Sequence, residues 1–405
     1  MATLHPFRAL RPRPDAAERV ASVPYDVVDA AEARQLAAGN PWSFLHVVRP
    51  EIDLPAGTDP HAPEVYAQGA AALAGLVAQG VLERDAAPGL FLYRQVMGER
   101  AQTGVMGLVS VAEYDRDLIK KHERTRPDKE DDRVQHVLVT RTHAEPVLLA
   151  YRGRPEIDAR VARDTAAPPL YDFTAADGVR HTVWRAGDPA ALAAAFAPVP
   201  ALYVADGHHR CAAASRAAAE LRSSAPDGEH ERFLAVVFPA DQLAILPYNR
   251  VVHDLAGQTP QELLTRLGEV AEVRPGGPRP GGRGRFAMYL AGNWFEVTPP
   301  AELLADPDPV ASLDAAILQA LVLAPLLGIA DPRTSERIEF VGGIRGSDEL
   351  ARRVERRGDG VAFALHPVGL DQLMAVADAG GVLPPKSTWF EPKLRSGLAV
   401  HELDG

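Results

Sequence analysis

Cysteine is almost missing from this sequence: Cys211 is the single one in 405 residues. That excludes an intrachain disulfide framework and fits a reducing compartment. Positive charge is in deficit, with 43 Lys and Arg against 54 Asp and Glu and a formal net charge of −11. A broad cationic face for nucleic acid or an anionic membrane is therefore not expected. Long apolar runs are lacking as well; "AALAGLVAQGVL" falls short of the roughly 20 residues that span a bilayer. The opening "MATLHPFRALRPRPDAAERV" has no apolar core of a secretory signal. These absences predict a cytoplasmic protein with small-molecule partners, a homo-oligomer being left open. Missing too are the Walker A, G-x-G-x-x-G, G-x-S-x-G and H-E-x-x-H patterns, so P-loop kinases, Rossmann dehydrogenases, α/β-hydrolases and zincins lose their sequence support.

What remains is an ordinary globular composition, 46% hydrophobic and 24% charged, long enough for about two domains of roughly 150 residues each. "DAAEARQLAAGNPWSF" reads as a helix with Asp29 at its N-cap and Gly39 at its end. "PEVYAQGAAALAGLVAQGVLERD" is a longer amphipathic helix. "GLFLYRQVM" and "TGVMGLVSVAEY" form a hairpin around "GERAQ", and "DPAALAAAFAPV" is a helix capped by Asp188. Further on, the glycine and proline of "RPGGPRPGGRGR" dictate a surface loop. "RFAMYLAGNWFEVTP" is a second hairpin, and "PVASLDAAILQALVLAPLLGI" a buried helix. Strands and helices interleave, yet neighbouring strands are often hairpin-linked. The expected class is α+β, with mixed sheets, hairpins and flanking helices. The expected division is an N-terminal α/β region, 1–240, and a C-terminal α+β region, 241–405, packed on the same site.

The stretch "LYVADGHHRCAAASRAAAE" carries the most chemistry. An apolar, β-prone run enters it and a strong helix former leaves it, so Asp206-Gly207 is a strand-to-helix turn. A helix start presents unpaired N–H groups and partial positive charge to an anion. Gly207 removes the Cβ that would hold a phosphate off the backbone. Arg210 adds a planar donor fork, and His208 and His209 add donors or a proton relay. Asp206 suits a metal ligand or a base for a hydroxyl. The plainer alternative is a capping aspartate with packed histidines. Adjacent histidines are poor partners for one metal on a regular helix, which argues against zinc on that pair.

Other constellations surround it. In "KKHERTRPDKEDDR", Lys120, Lys121 and Arg124 suit phosphates, Glu123 suits a catalytic carboxylate, and Asp128 and Asp131 suit Mg²⁺; a solvated, salt-bridged loop is the alternative. Pro127 fits the first turn of a helix. "SVPYDVVDA" offers Tyr25 to a base and Asp26 to an amine or ribose, or else a core tyrosine and a cap. "PPKSTWFEPKLRSGL" offers Lys386, Lys393 and Arg395 to a nucleotide or a carboxylate substrate, or else a strand pinned by Trp389 and Phe390.

Taken together, "SVPYDVV", "KKHERTRPDKEDDR", "ADGHHR" and "LPPKSTWFEPKLRSGL" resemble, in order and over nearly the whole chain, the bacterial and archaeal family called domain of unknown function 1015. The "DGHHR" turn is similar to the phosphate-binding turn of the ParB/sulfiredoxin-like superfamily, which includes nucleotide-dependent free serine kinases. That second resemblance covers only the strand-turn-helix. It implies a nucleotide phosphate, from ATP or ADP with Mg²⁺, on Gly207, His208, His209 and Arg210. It also implies Asp206 near a substrate hydroxyl, and a further glutamate, for which Glu123 is the candidate. The expected activity is phosphoryl transfer to a small hydroxyl metabolite, free L-serine above all. The alternatives are a nucleotide-binding switch of ParB type and a phosphatase using His208 or His209.

Overall fold

The computed structural model describes residues 2–223 and 225–404. The chain divides into two compact units: Met1–Leu243 with Pro392–Gly405, and Ala244–Glu391. Unit 1 is discontinuous in sequence: Pro392–Gly405 returns to it after Ala244–Glu391.

Unit 1 is built on an eight-stranded mixed sheet. Its strands are β1 (Phe91–Met97), β2 (Arg100–Ser110), β3 (Ile119–Lys120), β4 (Val147–Tyr151), β5 (Tyr171–Thr174), β6 (Arg180–Arg185), β7 (Leu202–Asp206) and β8 (Arg232–Pro239). They lie in the order β3-β7-β4-β8-β2-β1-β6-β5. Only β7 with β3 and β8 with β4 are parallel; the other pairings are antiparallel. The hairpin β1–β2 has the expected strands, with a turn tightened to Gly98 and Glu99.

Five helices of unit 1 matter here: α1 (Ala30–Ala37), α2 (Pro63–Ala78), α3 (Pro127–Thr140), α4 (Pro189–Phe196) and α5 (His208–Leu221). Asp29 caps α1 in a full capping box, and Asp188 caps α4 through the Ala191 N–H, each satisfying N–H groups the helix cannot pair itself. Pro127 opens α3. In α5, Cys211, Ala214 and Ala218 recur on one face and pack with Val147, Leu149, Leu202 and Val204 of the sheet. Alanine there lets the helix axis approach the strands closely, which holds the start of α5 hard against the end of β7. Arg216 of α5 clasps Glu130 and Asp131 of α3, joining the two helices.

Unit 2 holds a six-stranded antiparallel sheet. Its strands β9 (Tyr248–Val252), β10 (Glu272–Pro275), β11 (Phe286–Leu290), β12 (Asn293–Thr298), β13 (Ile338–Gly342) and β14 (Val361–Ala364) run β10-β12-β11-β14-β9-β13. Its two faces follow the period-2 rule. Phe286, Met288 and Leu290 of β11 meet α6 (Pro260–Gly268) and the helix at Asp314–Leu318. The alternate Ala287 and Tyr289 meet Leu350 and Val354 of α7 (Ser347–Arg357). The expected buried helix at 309–329 starts only at Asp314 and widens into a π-helical turn at Gln319–Leu323. The class expected from the sequence, α+β with mixed sheets and flanking helices, is the one observed.

Candidate active site at the Asp206 turn

The register of β7 shifts between Val204 and Asp206, and such bulges turn a side chain out of the ladder. Gly207 follows with φ of 100°, a left-handed conformation open to glycine at little cost. Helix α5 then starts at His208 with no side chain capping it, so its first N–H groups keep the positive end of the helix dipole.

Two cations close on the Asp206 carboxylate. Lys393 Nζ donates to Oδ1 at 2.7 Å, and Arg210 Nη2 donates to Oδ2 at 2.9 Å. Arg210 lies folded over the turn: a Cβ on Gly207 would stand 3.0 Å from its Nε. Its Nη1 donates to the Pro146 carbonyl, so much of its fork is engaged within unit 1. Burial by itself would raise the Asp206 carboxyl; Lys393, then Arg210, more than offset it and hold the group below the usual carboxylate range. The same pairing raises Lys393 against the opposing effect of its burial.

Glu145 stands behind the turn, and nothing in the sequence flagged it. It is buried, accepts from the Tyr25 N–H at 3.0 Å and from Ser396 Oγ at 2.9 Å, and has Arg133 Nη1 at 3.9 Å. Arg133 stacks over the Tyr25 ring at 4.0 Å. Residues from "SVPYDVV", "KEDDR", "ADGHHR" and "KLRSGL", scattered from Tyr25 to Ser396, thus meet in one unit. Tyr25 is itself buried, whereas Asp26 is exposed and its charge raises Arg210 after burial has lowered it.

On the other side of α5's first turn lies Glu123, its side chain 48% exposed, with Oε2 at 3.8 Å from His208 Nδ1. His208 is buried against His122, the rings perpendicular with centroids 4.4 Å apart. Burial pushes His122 down to about 4, opposed by Asp206 and the Val204 backbone. Burial and then His122 hold His208 well below its ordinary value. His209 is half-buried, and its Nε2 accepts from the Arg126 N–H at 3.1 Å.

The remaining sequence-selected residues scatter. Lys120 and Lys121 turn back toward Asp117, each at 3.9 Å, and Arg124 is exposed on the same loop. Asp128 is held by Arg126 at 2.8 Å and Asp131 by Arg216 at 2.7 Å. Among the described residues, the His/Cys/Asp/Glu group with ligand atoms gathered for a metal is His122, Glu123 and His208 instead. Arg395 is buried away from Asp206: it reaches Asp177, donates to His181 Nε2 at 3.2 Å, and its N–H donates to Tyr93 Oη. Lys386 belongs to unit 2, with Nζ 5.6 Å from the Tyr248 ring centre.

The family described as protein of unknown function (DUF1015) matches residues 4–316. The chain belongs to that family. The match takes in the first three of the four motifs of this DUF1015 chain and ends before Lys393. No curated protein matches it. Among solved structures, a free serine kinase variant in complex with AMP is similar at 14% identity and a TM-score of 0.37, over 73% of this chain and 92% of that one. SbnI from Staphylococcus aureus, with a C-terminal truncation, is similar at 12% identity and a TM-score of 0.40, over 73% and 87%. A conserved hypothetical protein from Pyrococcus furiosus reaches 16% and 0.34, over 74% and 96%. At these TM-scores the likeness establishes neither a common fold nor a common activity for the DUF1015 chain. None of its described helices is long and apolar enough to cross a membrane.

Proposed function

We propose that the Asp206 turn transfers a phosphoryl group from ATP or ADP to the hydroxyl of a small metabolite, free L-serine as the first acceptor. The observation carrying this reading is one juxtaposition. An uncapped helix start and Lys393 offer positive charge, and Glu123, a solvent-facing carboxylate, stands beside His208 in the same first turn. Phosphoryl transfer asks for positioning and charge neutralisation more than covalent chemistry. The acceptor oxygen bonds to the terminal phosphorus while the bond from phosphorus to the nucleotide's bridging oxygen breaks. The hydroxyl proton passes to Glu123, and the α5 N–H groups with Lys393 face the charge gathering on the phosphoryl oxygens.

Asp206, ionised and already paired, is a positioning residue that fixes Lys393. Serine is named on the resemblance of the Asp206–Arg210 turn to that of free serine kinases. Mg²⁺ would accompany the nucleotide phosphates and supply charge neutralisation. Asp128 and Asp131, each engaged by an arginine, do not fit a dedicated Mg²⁺ site. The phosphatase alternative is weaker, because His208 is buried and the Nε2 of His209 already accepts a hydrogen bond.

Phosphorus NMR of the full chain with ATP or ADP, Mg²⁺ and L-serine is the test. A phosphoserine signal is expected, falling about 10²–10⁴-fold in Glu123→Gln. Its absence with both nucleotides overturns the serine reading, and no detectable nucleotide binding overturns phosphoryl transfer altogether.

A further inference from the structure

His122 and His208 are 1% and 6% exposed, and they come from separate segments, the loop after β3 and the first turn of α5. One ligand atom from each, together with one from Glu123, all lie within 4.8 Å of one another. Both nitrogens of His122 and Nε2 of His208 are buried without a hydrogen bond of normal geometry among the described residues; the Val204 backbone that acts on His122 falls outside it. Buried polar atoms without partners in the protein are uncommon, and a bound ion or water is what usually satisfies them. A proton relay would account for them less well, since His208 Nδ1 and Glu123 stand 3.8 Å apart, beyond a hydrogen bond.

We infer that His122, His208 and Glu123 form a binding site for a borderline divalent cation of the Zn²⁺ type. Two imidazoles and one carboxylate are a donor set that zinc accepts, with a fourth position left open. Mg²⁺ and Ca²⁺ prefer oxygen throughout. A tetrahedral ion at about 2.1 Å from each donor would draw the three atoms to roughly 3.4 Å from one another, a closure shared between the Glu123 side chain and the two imidazole rings. The two histidines that meet are not the adjacent pair His208-His209, which is why spacing along the helix gave no zinc signal. With the ion bound, Glu123 is a ligand and not a base, so metal loading and phosphoryl transfer compete. Metal binding itself does not rest on the phosphoryl-transfer reading.

The test uses the full chain, stripped with a chelator and kept free of nucleotide. Zinc is titrated in competition with a chromophoric chelator, and Co²⁺ is used as a spectroscopic stand-in. One ion per chain and the intense visible bands of four-coordinate cobalt are expected. His122→Ala and His208→Ala should weaken zinc by more than the roughly 10–100-fold that outer-shell partners cost. Glu123→Gln should weaken it by at least about tenfold. His46→Ala, at the His46–Asp53 pair, should not change it. The site is overturned if wild type binds no zinc, if all variants bind it equally, or if wild type gives the weak spectrum of six-coordinate cobalt. The last readout needs no variant to fold.

Discussion

Lys393 and Arg395 stand two positions apart in one returning segment, yet they do opposite work. Lys393 delivers its ammonium to Asp206 beside an uncapped helix start and keeps 16% of its side chain exposed. Arg395 is 6% exposed and spends its guanidinium on His181 and Asp177. Alternation does not account for the separation, since in extended chain residues i and i+2 share a face; the segment after Glu391 is irregular and carries Lys393 to the charged turn and Arg395 to the packed sheet at His181. A basic, aromatic stretch in a sequence therefore does not say which of its cations is available to a ligand.

Acid acts on both sides, since burial holds down His122 and His208 at the Asp206 turn as well as His181 beside Arg395. His181 is held down to about 3 by burial and then by Arg395. The unfolded chain binds a proton near pH 6.5, so the folded state loses stability as pH falls from there toward 3, by on the order of 4 kcal/mol. A plot of chemical-denaturation stability against pH checks this, and a flat plot over that window would contradict the assignment. Next in size is Lys393→Met, expected to slow phosphoryl transfer about 10²–10³-fold, as loss of one transition-state donor does, and to lower the melting temperature, because Asp206 then keeps only Arg210 as its cation. The smallest effect belongs to Arg395→Met. It leaves His181 Nε2 without its donor at a cost of about 1–3 kcal/mol, read as a lower melting temperature, with the lesser effect on rate. If Arg395→Met proves the more damaging to turnover, the comparison is reversed.

Much of the local structure was legible in the sequence. The Asp206-Gly207 strand-to-helix turn, the caps at Asp29 and Asp188 and the proline opening α3 all rest on short-range chemistry and are found where expected. What could not be read is what long-range packing decides. Lys393 meets Asp206 across 187 positions, and Glu145 becomes the buried junction of three motifs with no composition or spacing to announce it. His122 lay inside a run that reads as solvated, yet one turn of chain carries it under α5 while Lys120 and Lys121 swing back to Asp117. The fork of Arg210, read as a phosphate clamp, is occupied largely by Asp206 and Pro146.

The return of Pro392–Gly405 into unit 1 also bears on how the molecule is made. Ribosomes deliver a chain from its N-terminus, and domains commonly fold as each emerges. Here unit 2 is interposed before unit 1 has received Lys393, so Asp206 and Arg210 are synthesised long before the ammonium that completes their charge balance. A nascent chain halted at Leu243 carries the whole eight-stranded sheet and the DGHHR turn, but an incomplete ion cluster. Completion of the turn's charge balance is thereby tied to translation through the inserted unit.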